Sequence, residues 1–533
     1  MTVASSQRWT RRRVMTTVGA GLLGGAGLLG VGYGATTVDH NRRVPPPTHR
    51  FWTRPDLQPP VISMSPLGPV LRPGPSRPAG SDRGYILLTP ASGQDQHGPL
   101  IVDASGAVMW FRPLAGTDRV ATNLQVQRYR DQPVLTWWEG VITVGVGFGD
   151  CVIADMAYRE IARIPVGADL HEFTLTPAGT ALFFAYDRIS ADLTPVGGPR
   201  SGGLYDAVLR EVDIATGAIV FEWHSHDHVS VAESYQPFAG STPTPAPGPG
   251  SSPANTPGPN PTGGQASTPA PLPYDFFHAN SIEIDTDGHL LVSARHTSCV
   301  YKVDRTTGAV RWRLGGKASD FSFGREARFA WQHDARRRSD GTISVFDNGA
   351  GTLTDEPRSR GLILDVDLRR HRATMVHAYP HPRSLLATSQ GSFRELPDGG
   401  VFIGWGSAGY FSEYAADGTL RLDGHLPEDD VSYRAFRTPW AGHPDEQPAV
   451  VGQAVAEGVL VHASWNGATE VTSWQVLGGE QPHDLRPLRA VARSGFETTI
   501  LVRRSPRYVA AVARDHSDAP LGTSPTVGVM KAP

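Results

Sequence analysis

A chain of 533 residues with 59 glycines and 45 prolines, 39% hydrophobic and 19% charged, can bury a large core but shows few long amphipathic helical patterns. Its formal net charge of −3 is too small to indicate a nucleic-acid or acidic partner. Only Cys151 and Cys299 are present, which excludes a disulfide framework. They are expected as buried free thiols; a pairing stays open, because sequence does not place their Cα atoms within bonding range.

At the N-terminus, Arg11-Arg12-Arg13-Val14-Met15 precedes an uncharged, glycine-rich run to about Ala35. This is the pattern of a twin-arginine export signal, over residues 1–35, and it implies translocation after folding to the cell surface or the extracellular space. Glycine makes the run a poor membrane helix, so cleavage near Tyr33-Gly34-Ala35 is favoured over retention as a membrane anchor. Residues 36–80, rich in Pro and Arg, read as a tether with a first strand at Val61–Met64.

From residue 81 to 447 one pattern recurs: a short apolar strand, a return strand, then a hairpin with a polar turn. The pairs are Tyr85–Thr89 with Leu100–Phe111, Val134–Trp138 with Cys151–Ile164, and Ala181–Tyr186 with Val208–Trp223. They continue as Leu290–Ala294 with Val300–Trp312, Thr342–Phe346 with Leu362–Tyr379, and Val401–Trp405 with Phe411–Leu422. Gly-bearing turns such as Ala104-Ser105-Gly106, Thr306-Thr307-Gly308 and Ala416-Asp417-Gly418 punctuate them. A four-stranded sheet cannot bury both faces alone, and radial stacking of such units does so. The expected fold is therefore all-β, a six-bladed β-propeller. Residues 240–273 are Pro/Gly/Ser/Thr-rich low complexity, expected as a disordered insertion between the third and fourth units. Residues 448–522 read as a small fibronectin-like β-sandwich, and 523–533 as a loose tail.

Aligning the first strand of each unit on its turn glycine brings chemistry into register. His171, Asn280 and His333 each stand eight residues before a turn glycine, Gly179, Gly288 and Gly341. Asn123 and Gly391 take similar places, and His278 shares a strand face with Asn280. The returning strands end at Glu139, Asp187, Arg295-His296 and Asp347-Asn348, so Arg295 should face His278 and His333 across the mouth of a central channel. A zinc site of three histidines would be opposed by the charge of Arg295, so no metal is expected. The run His224-Ser225-His226-Asp227-His228 is read as a solvated loop at a unit's outer edge, and Trp137, Trp138, Trp223, Trp312 and Trp331 as packing between units. Histidine, asparagine and arginine without dominant carboxylates suit a tetrahedral oxyanion. Arg can fork onto two oxygens, neutral donors can take the rest, and one imidazole can attack.

These residues resemble the arylsulfate sulfotransferase (arylsulfotransferase) family, in particular the branch found in actinobacteria and fungi. The matching stretches are Val134–Gly140, Asp169–Phe173, His278–Ile282, Ser293–Arg295, Trp331–Asp334, Gly391–Trp405 and Ser464–Ala468. The resemblance covers about residues 55 to 525; each stretch is weak alone, and their order is specific. It implies transfer of a sulfuryl group from an aryl sulfate ester to a phenol, with neither a nucleotide sulfate donor nor another cofactor. By that resemblance His333 is the nucleophile, forming a transient sulfohistidine in a ping-pong cycle. His278, Asn280 and Arg295 bind sulfuryl oxygens, and His171 is a further catalytic histidine. Two other readings stay open at this point. One is a non-catalytic exported propeller that binds a polyanion or glycan. The other is a quinoprotein dehydrogenase, suggested by Val303–Trp312 but matched elsewhere only by Val212–Trp223.

Overall fold

The computed structural model describes residues 50–66, 84–116, 118–238, 272–350 and 356–531. The twin-arginine segment, most of the tether and residues 240–271 of the expected insertion lie outside the described residues. The chain is all-β; its described helices are single turns such as Ser225–His228. No helix among the described residues is long and apolar enough to cross a membrane.

Six sheets of four or five strands follow one another in the region of the repeats. The fourth sheet shows the plan: Ala279–Ile284, Leu290–Ala294, Cys299–Val303 and Val310–Gly315 pair antiparallel in sequence order. Its two middle strands are buried throughout, which is why they read as continuous apolar runs rather than alternating ones. Its first turn closes by Gly288 N–H donating to Asp285 O at 2.8 Å, with Gly288 at φ 80°, a conformation glycine adopts without steric cost.

The innermost strands touch in a closed ring. Phe436–Thr438 contacts Val120–Tyr129, which contacts Phe173–Leu175. Thr180–Ala191, paired to Phe173–Leu175, contacts Ala279–Ile284; then come His333–Arg337, Ser392–Glu395 and, through Val401–Gly404, Phe436–Thr438 again. Two strands from distant parts of the chain complete the ring. Phe436–Thr438 is the inner strand of the first sheet, paired with Tyr85–Leu88. Ser63–Pro66 is the outer strand of the sixth, paired with Leu420–His425. The first described strand thus begins two residues later than expected.

Beyond the ring, Ala449–Val455, Gly458–Ser464 and Glu497–Val502 form one sheet, and Ser473–Gln481 with Asp484–Ala492, Tyr508–Arg514 and Pro520–Thr523 another. Val461, Trp474, Val476, Ile500, Val509 and Ala511 pack in a single core. The expected loose tail is instead held: Val527–Gly528 pairs with Tyr508–Arg514, and Met530 bridges to Gln453. Cys151 and Cys299 are buried free thiols in the second and fourth sheets.

Candidate active site

The predicted residues converge. His171 lies just before the strand Phe173–Leu175, His278 just before Ala279–Ile284, and His333 opens His333–Arg337. The ring centroids of His171 and His278 are 4.8 Å apart, edge to face, and His171 and His333 both stand edge-on to Tyr433, at 5.5 and 6.4 Å. All three histidines are buried, or nearly so.

Each histidine is held at Nδ1. Asp275 accepts from both the His278 backbone N–H, at 3.0 Å, and Nδ1, at 2.5 Å. Asp169 holds His171 in the same way, accepting its backbone N–H at 3.0 Å and its Nδ1. His333 has a neutral partner: Asn348 Oδ1 lies 2.7 Å from Nδ1. The Asn348 amide donates through Nδ2 to Ala387 O at 2.9 Å and Gln390 O at 3.0 Å, so its oxygen must face the ring. That fixes the proton of His333 on Nδ1 and leaves the Nε2 lone pair free of a proton. The lone pair meets only the Gln390 backbone N–H, at 3.2 Å.

Electrostatics agree with that assignment. Burial, reinforced by the Arg295 charge, drives the His333 pKa well below its ordinary value. Burial also lowers His278, against the opposing pull of Asp275. Burial works against an ionised Asp275, but the neighbouring His278 and His296 outweigh it and draw that carboxyl down to about 2. Arg295, lowered by burial to about 10, still carries its charge at neutral pH.

Arg295 lies over the Trp331 ring at 4.7 Å and donates through Nη2 to Thr388 O at 3.1 Å, while its Nε has no hydrogen-bond partner. Trp331 Nε1 and the Tyr433 hydroxyl are also buried without partners. Buried donors without partners near a neutral imidazole suit an acceptor-rich ligand. Trp331, expected only to pack between sheets, also carries the Arg295 guanidinium over its ring.

Asn280 braces the neighbouring sheet. Its Nδ2 donates to Gln332 O at 2.9 Å, holding the peptide that carries His333. Asn123 repeats the device two sheets earlier, donating to Leu170 O at 2.7 Å ahead of His171. Gly391 takes the equivalent place in the sixth sheet; a Cβ there would lie 2.4 Å from the Phe346 ring.

Sequence reasoning missed Asp169, Asp275, His296, Asn348 and Tyr433 as site residues. An Asp two or three residues before a strand-leading His was the available signal for the first two. Nothing near Tyr433 marked it. Asp275, His278 and His296 bring ligand atoms within 4.8 Å of one another, but the Asp275 carboxylate is already bonded by His278 Nδ1 at 2.5 Å, and His296 Nδ1 donates to the Asp275 backbone carbonyl at 2.7 Å. The adjacent Arg295 charge also disfavours a cation. The run 224–228 is structural. His224 bonds Asp206 at 2.7 Å and Glu222 at 3.1 Å, and His228 stacks on Trp223.

No curated protein matches the chain. Among solved structures, a Bacteroides caccae protein of unknown function has a TM-score of 0.37 and 11% identity, covering 66% of this chain and 98% of its own. A streptogramin B lyase has a TM-score of 0.32 and 11% identity, covering 68% and 86%. The Dos1 propeller has a TM-score of 0.28 and 10% identity, covering 73% and 92%. The family model described as arylsulfotransferase (ASST) matches residues 125–426, a stretch that contains His171, His278, Asn280, Arg295 and His333. With more than half of its length matched, the chain belongs to the arylsulfotransferase (ASST) family.

Proposed function

We propose that the protein transfers a sulfuryl group from an aryl sulfate ester to a phenolic acceptor through a sulfohistidine on His333, without a nucleotide donor. The observation that carries this reading is the neutral, Nδ1-protonated His333, held by Asn348 beside the cation of Arg295. In the first half-reaction the Nε2 lone pair displaces the Gln390 N–H and attacks sulfur. The N–S bond forms as the bond from sulfur to the aryl oxygen breaks, and the electron pair leaves with the phenolate, which takes a proton from solvent. In the second, the acceptor oxygen attacks sulfur and the N–S pair returns to Nε2. His171, held by Asp169, takes the acceptor's proton and passes it to solvent.

Arg295 Nε, the second N–H of Asn280 and, in its imidazolium form paired with Asp275, the Nε2–H of His278 are assigned to the sulfuryl oxygens. The scaffold of this site is proposed to be a six-bladed β-propeller over 81–447, carrying a β-sandwich over 448–522. Export by the twin-arginine route is part of the same proposal; replacing Arg11-Arg12-Arg13 with lysines in a signal–reporter fusion should abolish export.

The test is purified protein with 4-nitrophenyl sulfate and excess phenol, without metal or nucleotide. Acceptor-dependent nitrophenol release that disappears in His333→Ala is expected. No turnover across several aryl donors would favour the polyanion-binding reading instead.

A further inference from the structure

The second sheet carries a long hairpin, Gln132–Thr143 and Val146–Ala154, joined by the two-residue turn Val144-Gly145. Both turn residues have positive φ, 50° and 83°. Asn-Gly suits such a turn, because asparagine tolerates the left-handed region and glycine has no Cβ. Valine is a costly choice there: its branched Cβ disfavours positive φ. Burial does not offset the strain, since Val144 is 53% exposed.

The tip lies against the site. A Cβ on Gly145 would come 3.2 Å from His278 Cε1. Gly147 N–H donates to Asp169 Oδ2 at 2.7 Å, the carboxylate whose other oxygen holds His171. Val146 is buried in the core that includes Tyr186, Tyr205 and Phe277, so the tip is anchored across the third and fourth sheets. Behind the tip, Val141 and Phe148 pair directly across the hairpin and are also exposed, at 38% and 39%.

We propose that Val144 is a specificity-determining residue that packs against the aromatic ring of the aryl substrate while its sulfuryl group sits among His278, His333 and Arg295. The strained, exposed valine, whose turn neighbour Gly145 abuts His278, is accounted for if its methyl groups are covered by substrate during the cycle. Polar aliphatic sulfates would gain nothing from this contact, so it selects aryl esters. This inference rests on the sulfuryl-transfer reading.

The test compares the parent protein, Val144→Asn and Val144→Ile, using 4-nitrophenyl sulfate and the larger 4-methylumbelliferyl sulfate as donors. Val144→Asn relieves the turn, so its melting temperature should equal or exceed the parent's. Its KM should rise about tenfold, more for the larger ring, with kcat little changed. Val144→Ile should keep a parent-like KM. Unchanged KM in Val144→Asn, or a loss of stability accompanied by equal losses for both donors, would overturn the inference while leaving the transfer reading intact. A parent protein that turns over neither donor would overturn both.

Discussion

The protonation state of His333 is set by its neighbour Asn348. Two carbonyls orient the Asn348 amide, the amide orients the ring, and the ring presents a proton-free Nε2. Asn348→Ala should slow the burst of phenol release by about a hundredfold with little change in KM, as expected when the partner that orients a reacting histidine is lost. Rapid-quench kinetics would show it, and a parent-like burst would refute it. Burial and Arg295 depress the pKa of His333, so its neutral form persists as pH falls through the ordinary histidine range and is lost only well below it. The burst rate should therefore stay level between about pH 8 and pH 6, where an ordinary histidine nucleophile would lose most of its activity. His171, Asn280 and His333 were legible in the sequence because each stands eight residues before a turn glycine, whereas His278 was found through its strand face shared with Asn280 and Arg295 as the end of a returning strand. Asn348 was legible only as the end of a returning strand, since hydrogen bonds to distant carbonyls leave no periodic trace.

Among the elements, the inner strands owe their role to irregularity as much as to pattern. Strand pairing shifts between Thr122 and Gln125, between Ala279 and Ser281, and between His333 and Arg336. Asn123 and Asp334 take positive φ at these bulges, where Asn123 reaches Leu170 O and Asp334 accepts from Phe393 N–H and Arg394 in adjoining sheets. Bulges cannot be read from hydrophobic alternation, which is why the strands were foreseen but the carbonyl-holding roles of Asn123 and Asn280 were not. The long Val144-Gly145 hairpin was hidden for a related reason: a Val-Gly turn lacks the Asn-Gly or Asp-Gly signature that marks such loops.

For the whole molecule, the ring is closed by strands far apart in sequence, and a buried ion cluster ties that closure to the site. Arg434, two residues before the closing strand Phe436–Thr438, donates to Glu172 at 3.2 Å and to Asn280 O at 2.6 Å. Glu172 also pairs with Arg336, which bonds Asp334, and Asp334 accepts from Arg394 at 3.0 Å. Glu172 and Asp334 directly follow His171 and His333 in sequence, so the same short stretches carry the candidate histidines and the ion cluster. Arg434→Met should destabilise the fold by about 3–5 kcal/mol in urea unfolding, because it leaves buried carboxylates short of a partner. A change within about 0.5 kcal/mol would show that the cluster does not lock the ring. The repeat made the series of sheets legible, whereas the closing partners Ser63–Pro66 and Phe436–Thr438 were not, because each pairs with a strand more than 300 residues away in the chain.

The most direct measurement is capture of the covalent intermediate. The protein is mixed with 4-nitrophenyl sulfate in the absence of acceptor, quenched in alkali to preserve a phosphoramidate-like N–S bond, digested, and its peptides weighed. The account predicts nitrophenol release stoichiometric with protein and one sulfuryl group on the peptide containing His333, lost on adding phenol. Nitrophenol release with no modified peptide, or with the sulfuryl group on another residue, would contradict it.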